Sequence, residues 1–356
     1  MKLSYFKGKQ ILVTGHTGFK GSWLSQILLE AGAQVSGYAM KPLNKPALYD
    51  VLQLEKNMPS YIGDVADLGR LQKVFSEVKP EMVLHLAAQP IVRESYQNPV
   101  WTYQTNVMGT VNILECIRNC NSVSSFLNVT TDKVYKNREW EWGYRENEEL
   151  CGYDPYSNSK SCSELVTYSY LHSFFKERGT AISTARAGNV IGGGDFAADR
   201  IVPDSYRAAT AGNKIIVRNP DSIRPYQHVL EPLMAYLTIL AGQNEDGKLA
   251  GNYNIGPNEE DCITTGSLVT LFCDKWQKYT GDIVSWSNKL ENGPHEANFL
   301  KLDCARFKQT FDWKPVWNIS QAIDKTVEWY CSYEQSADMK QVMQMQLKTY
   351  IKDGQK

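Results

Sequence analysis

The first half of the chain alternates between two hydrophobic rhythms. Short apolar runs predict strands at Gln10–Thr14, Gln34–Tyr38, Met82–Ala87, Ser125–Thr130 and Ala181–Arg186. Between them, longer stretches with helical patterning predict helices over Gly21–Ala31, Leu68–Val78, Trp101–Cys120 and Tyr156–Arg178. Such alternation implies right-handed βαβ units and a mostly parallel sheet. After Arg186 the rhythm changes. Glycines at 192–194 open a stretch rich in Arg, Asn, Pro and Asp that runs to about residue 225. Tyr253–Ile255 reads as one more short strand, and Gly266–Tyr279 and Ser320–Tyr333 read as helices. The polar segment from Met339 to Lys356 fits either a terminal helix or a tail.

Composition narrows the class without naming it. A chain of 356 residues with 42% hydrophobic and 22% charged residues can bury a sizeable core. The net charge of −1 gives no general attraction to nucleic acid or to an acidic membrane. The N-terminal apolar run starts only at Ile11 and is interrupted at Gly15, unlike a signal peptide. No run of about 18 apolar residues predicts a membrane span. Eight scattered cysteines without a CxxC pair argue against a metal site and for reduced thiols, so a cytoplasmic location is expected.

The chemistry begins at ILVTGHTGFKGSWL. Gly15, Gly18 and Gly21 stand between the first strand and the first helix. A dinucleotide pyrophosphate must approach the backbone at such a helix N-terminus, where unpaired N–H groups and the helix dipole meet it. Side chains at 15 or 18 would obstruct that approach, and a glycine at 21 lets helix and sheet pack closely. The spacing is GxxGxxG, and its place after the first strand is what makes it informative. Asp64, in YIGDVAD after a short strand, suits either a contact to adenine or an ordinary turn. The alanines of HLAAQ leave room for a cofactor across the sheet edge, or serve helix packing.

A second constellation is Tyr156 and Lys160, four apart on one predicted helical face. A lysine ammonium at ~4 Å in an effective dielectric of ~20 attracts a phenolate by ~4 kcal/mol, up to ~3 pKa units. The expectation is a phenol drawn towards neutrality, able to take a hydroxyl proton as a hydride leaves. Tyr5 and Lys9 share the same spacing but precede the first strand. Thr130, Thr131 and Asp132 close the strand that leads towards Tyr156, and a hydroxyl there can bond the same substrate oxygen.

Taken together, TGHTGFKG, GDVAD, HLAAQ, TNVMGT, the Thr131 region and YSNSK resemble the extended short-chain dehydrogenase/reductase family over nearly the whole chain. TDKVYKNREWEWGYRENEEL, RAGNVIGGGDFAADRIVPD and RNPDSIRPYQHVLEPL are similar to the branch that dehydrates CDP-glucose. The resemblance implies an α/β Rossmann-type doubly wound parallel sheet. Residues 1–186 would bind the dinucleotide. Residues 187–356 would form a smaller substrate-binding region, with about 228–257 returning to the sheet. It implies a redox-neutral loss of water from a nucleotide sugar, feeding deoxysugars into surface polysaccharide. Thr131, Asp132, Lys133, Tyr156 and Lys160 would be catalytic. Gly15, Thr17, Gly18, Phe19, Lys20, Gly21, Asp64, Val65, Leu86, Ala87, Ala88, Thr105, Tyr156 and Lys160 would hold the cofactor. Asn189, Arg200, Arg218, Arg224 and His228 would hold the substrate, with Glu139 and Trp140 either shaping the hexose pocket or packing as a lid. Related dTDP-glucose dehydratases carry a glutamate where this chain has Lys133, so the proton acceptor at C5 stays open. Family membership favours NAD, although no acid stands after the second strand and Lys41 suits a 2′-phosphate, so NADP is not excluded. A homodimer through a four-helix interface is also implied, with Trp101–Cys120 and Tyr156–Arg178 as its helices. No metal, nucleic-acid or membrane partner is expected.

Overall fold

A computed structural model describes residues 2–288 and 300–355. Seven parallel strands form the central sheet: β1 (Gln10–Thr14), β2 (Gln34–Ala39), β3 (Ser60–Ile62), β4 (Met82–His85), β5 (Ser125–Thr131), β6 (Ala181–Ala187) and β7 (Asn252–Ile255). Their spatial order is β7-β6-β5-β4-β1-β2-β3. The direction of winding reverses between β1 and β4, which opens a crevice at the carboxyl ends of those two strands. This is a Rossmann-type doubly wound fold.

Strand side chains alternate between the two faces. Leu12, Val83, Phe126 and Ile182 join one cluster with helices α2 (Leu68–Val78) and α3 (Gly109–Arg118). Ile11, Val13, Leu84, Leu127 and Val129 join a larger one on the opposite face. That cluster includes α1 (Phe19–Glu30), α5 (Ile201–Thr210), α6 (Leu230–Glu245), α7 (Thr265–Thr280), α8 (Ile319–Glu334) and α9 (Met339–Asp353), with α4 (Pro155–Tyr170) lying on the first face. The polar C-terminal segment is therefore helical, held by Met339, Met343, Leu347 and Tyr350 against the core.

Two departures from the sequence reading have physical causes. The long helix expected over Trp101–Cys120 begins at Pro99 and contains a π turn at Gln104–Met108 before α3. Within that turn the Asn106 side chain accepts from the Gln89 N–H at 2.8 Å and donates to Ser159 at 2.9 Å. A π turn re-aims side chains and recurs at functional sites. Helix α6 went unread because it is apolar on nearly every side. Thirteen of its residues are buried, so it carries no helical stripe.

Candidate active site

The glycine turn leaves β1 at Gly15, in the left-handed region at φ 76°. A Cβ at Gly15 would come within 2.7 Å of the Ala87 nitrogen. A Cβ at Gly21 would lie 2.0 Å from the Gly15 carbonyl oxygen. A Cβ at Gly18 would meet only that same oxygen, at 3.4 Å. Gly15 thus serves the approach of the loop after β4, and Gly21 the tight strand-to-helix turn. Gly18, the N-cap of α1, is the glycine that keeps the helix N-terminus open. At Gly15 the missing side chain also clears protein backbone, a requirement the sequence reading did not include. Thr17 ties the loop to the end of β2 by donating to the Met40 carbonyl at 2.8 Å. Phe19 and Lys20 follow at the first turn of α1, both half-buried.

Around the crevice stand the other residues expected at a cofactor. Leu86, Ala87 and Ala88 are half-buried at the carboxyl end of β4. Asp64 accepts from the Ala66 N–H at 2.9 Å, and Val65 packs against Gly109. Thr105 Oγ1 is buried with no hydrogen-bond partner among the described residues. An open helix N-terminus, small residues on the adjoining loop and an unpartnered buried hydroxyl fit a dinucleotide laid across the switch point. Lys41 is exposed beyond β2.

Beyond β5 the reacting groups converge. Thr131 accepts from the Lys133 N–H at 3.4 Å, and its hydroxyl donates to Asp132 Oδ1 at 2.9 Å. The Thr131 side chain also faces the Tyr156 phenol closely enough to lower its pKa. Asp132 is buried, and its second oxygen has no partner among the described residues. Burial pushes its carboxyl above the usual range, against the pull of the Lys133 charge, the Thr131 hydrogen bond and Arg224. A Cβ on Gly188 would sit 3.2 Å from Asp132 Oδ2, which places the Gly188–Asn189 segment beside that carboxyl.

The electrostatics of the Tyr–Lys pair differ from expectation. Burial pushes the Tyr156 phenol up to about 12, with Thr131 and Arg200 only partly opposing it. Lys160 donates to the Val129 carbonyl at 3.1 Å. Its own pKa falls to about 7, first through burial and then through the positive charge of Lys20. Lys20 is itself lowered to about 8 by burial and Arg200. Both members of the pair have left water, so each neutral form is favoured and no phenolate is drawn out by an ammonium.

Three of the expected substrate residues, Asn189, Arg200 and Arg224, gather at this centre. Arg200 is paired with Asp195 at 2.8 Å and acts on Tyr156, while Arg224 acts on Asp132. Arg218 lies further out, paired with Asp199 at 3.0 Å; Arg93 Nη1 reaches the same carboxylate at 3.9 Å. His228 departs from expectation: it is fully buried, with edge-on contacts to Trp23 and Trp317. Burial lowers it to about 3, so it is a neutral buried histidine, its Nε2 without a hydrogen-bond partner among the described residues. Glu139 is exposed, and Trp140 stacks on Tyr144 with centroids 5.5 Å apart, so this loop is a packed aromatic unit. Sequence reasoning missed Asp195, Arg93 and the buried Glu164; nothing in the local spacing of Asp195 or Arg93 marks them, whereas Glu164 continues the four-residue spacing of Tyr156 and Lys160. Among the described residues no cluster suits a metal ion, and all eight cysteines are free thiols.

Comparison with known proteins now places the chain. The family model described as GDP-mannose 4,6 dehydratase matches residues 12–326. The chain belongs to this GDP-mannose 4,6 dehydratase family. Within it, the sequence is 46% identical to a CDP-glucose 4,6-dehydratase of Salmonella typhimurium, over 94% of each chain. A dTDP-glucose 4,6-dehydratase of Haemophilus influenzae is 26% identical, over 90% of this chain and 97% of the relative. The fold is similar to UDP-glucose 4-epimerase of Thermotoga maritima with a TM-score of 0.78 at 23% identity, covering 92% of this chain and 99% of that one. The members of the family named here are nucleotide-sugar dehydratases, hydro-lyases that share the Rossmann scaffold described above.

Proposed function

We propose that this enzyme dehydrates CDP-glucose to CDP-4-dehydro-6-deoxyglucose with NAD as a bound, recycled cofactor. The observation that carries the reading is Asp132: a buried carboxyl raised by desolvation, with one oxygen unpartnered among the described residues, next to the Thr131–Tyr156 pair. A plain dehydrogenase or epimerase needs Tyr156 but has no work for a second buried acid. The 46% identity to a CDP-glucose dehydratase supports the nucleotide, and a dTDP-glucose dehydratase of the same fold from Bacillus anthracis is known in complex with NAD (TM-score 0.74, 22% identity, 93% of this chain and 99% of that one).

The residues divide the work. Residues 1–186 hold the dinucleotide through the α1 N-terminus, Thr105 and the loop after β4. Residues 187–356 hold the nucleotide sugar, with β7 and α6 completing the sheet region. The cofactor supplies a hydride acceptor at C4 that later returns the hydride to C6. Thr131 and Tyr156 bond the C4 oxygen, and Tyr156 takes its proton as the phenol's own proton leaves. Lys160, near 7, is the group able to accept that proton onward at neutral pH. The C4 ketone acidifies the C5 hydrogen. Asp132, whose protonated form burial favours, gives its proton to the C6 hydroxyl, which departs as water. Lys133, beside Asp132 on the same short turn, is the residue we assign to take the proton from C5. Arg200, Arg218 and Arg224 suit the diphosphate, since guanidinium binds its oxygens bidentately. With Lys160 as acceptor, turnover rises with pH through about 7.

Two measurements test this. Incubation with CDP-, dTDP-, GDP- and UDP-glucose should give an 18 Da loss chiefly from the cytidine sugar; comparable turnover of another nucleotide overturns the substrate assignment. Lys133→Met should abolish solvent deuterium incorporation at C5, and normal incorporation removes Lys133 from that role. A homodimer belongs to the same proposal. Val100, Met108, Leu165, Tyr168 and Phe174 are exposed on the two adjoining helical runs, as a paired four-helix interface requires. The absence of any membrane-length apolar helix among the described residues agrees with work in the cytoplasm.

A further inference from the structure

Helix α4 carries a third ionisable group on the face that presents Tyr156 and Lys160. Glu164 follows Lys160 by four residues, as Lys160 follows Tyr156. It is fully buried and bound by Arg186 of β6 through two bonds of 2.9 Å, Nε to Oε1 and Nη2 to Oε2. Thr130 and Thr184 donate to its two oxygens at 2.5 and 2.6 Å. The carboxylate is thus saturated, and although burial works to raise it, Arg186 and these donors hold it below the usual range.

Arg186 extends the network to the aromatic loop. Its Nη1 donates to the Tyr135 hydroxyl at 2.7 Å and to the Glu146 carbonyl at 2.9 Å. Tyr135 donates in turn to Asn254 Oδ1 at 2.6 Å, and Asn254 donates to the Tyr144 carbonyl at 2.8 Å. Tyr135 and Tyr144 stack, and Trp140 stacks on Tyr144. One ion pair therefore joins α4, β5, β6, β7 and the 135–150 loop directly below the reacting groups.

We propose that the Glu164–Arg186 pair is a positioning device of the reaction centre, setting the charge felt by Lys160 and anchoring the 135–150 loop beside it. The inference rests on the reading of Tyr156 and Lys160 as the proton-transfer pair. A buried ion pair is often no more stabilising than an apolar pair of similar volume, so its placement calls for a reason besides stability. The charges facing Lys160 are Lys20 from α1, which disfavours its ammonium, and Glu164 from its own helix, which favours it. His85 of β4, lowered to about 3, contributes no charge at neutral pH. Glu164 thus offsets part of what Lys20 and burial do.

The test reads Lys160 directly, by 15N titration of lysine side chains with the signal assigned through Lys160→Met. Glu164→Gln leaves the Arg186 charge uncompensated and should move the Lys160 midpoint down by about one pH unit. Arg186→Met leaves the carboxylate unpaired and should move it up. The double substitution removes both charges, provides a folded control, and should return the midpoint towards the parent value. Tyr135→Phe keeps both charges, so the midpoint should not move while amide exchange over 137–150 speeds at least tenfold. Glu164→Gln and the parent sharing one midpoint overturns the electrostatic role. Unchanged exchange in Tyr135→Phe overturns the anchoring role. Absence of CDP-glucose turnover in the parent would instead count against the proposed reaction, because neither readout depends on it.

Discussion

Gly15, Gly18 and Gly21 are glycines for three separate reasons, and single alanines distinguish them. Gly18→Ala meets nothing closer than 3.4 Å, so its melting temperature should stay within a few degrees of the parent. With the pyrophosphate at this helix N-terminus, as proposed, the added methyl group obstructs it, and NAD affinity by calorimetry should fall at least tenfold. Gly21→Ala puts a methyl 2.0 Å from a carbonyl oxygen and should cost about 2–4 kcal/mol in urea unfolding. A Gly18→Ala protein that binds NAD as the parent does would remove the turn from the cofactor site. Gly15 and Gly21 were legible as a motif, but the backbone that Gly15 clears was not, because Ala87 lies in the loop after β4, some seventy residues on. His228 illustrates the opposite case. It sits in a string that resembles substrate-binding segments, yet only packing shows it wedged between Trp23 and Trp317.

At the scale of elements, periodicity located what is half-exposed and missed what is buried throughout. Helix α2 was bounded to the residue because one face is apolar and the other polar, and Asp67 caps it by accepting from the Arg70 N–H. Helix α6 gave no such contrast. The helical runs at 99–118 and 155–175 carry an apolar face that the chain leaves uncovered, with Leu165 53% and Tyr168 60% exposed. Leu165→Glu would place a charge in the middle of the expected dimer interface. Sedimentation equilibrium should then give half the parent mass with the fold retained by circular dichroism. A parent enzyme that is already monomeric, or a variant that stays paired, rejects this interface. The π turn in the first run was not legible, since it answers Gln89 and Ser159 rather than any local spacing.

For the whole molecule, the buried histidines set how the enzyme responds to acid. His16 is lowered to about 4, and His85 and His228 to about 3, each first by burial. In the unfolded chain these groups take protons near 6.5, so below that pH the unfolded state binds more protons and stability falls as pH falls. From pH 7 to 5 each contributes a loss of about 2 kcal/mol. Glu231 acts in the other direction. Burial raises it to about 7, so the fold binds its proton first, and acidification returns about 2 kcal/mol. These four groups together contribute roughly 4 kcal/mol less stability at pH 5 than at pH 7, and the raised Asp132 carboxyl offsets part of it. Urea midpoints at the two pH values measure it, and His85→Gln should flatten the difference. Equal midpoints would show that these histidines are not held neutral.

The sequence by itself determined the parallel α/β architecture, the glycine turn at a helix N-terminus and the residue types gathered for proton and hydride chemistry. Those follow from periodicity and local backbone requirements, which act over a few residues. Tertiary structure alone decided the protonation states: Tyr156 raised to about 12, Lys160 lowered to about 7 and Asp132 raised by burial. Such shifts depend on how much water each group loses and which charges face it. Lys20 and Arg224 come from elements distant in sequence from the groups they act on, so no spacing along the chain encodes their effect.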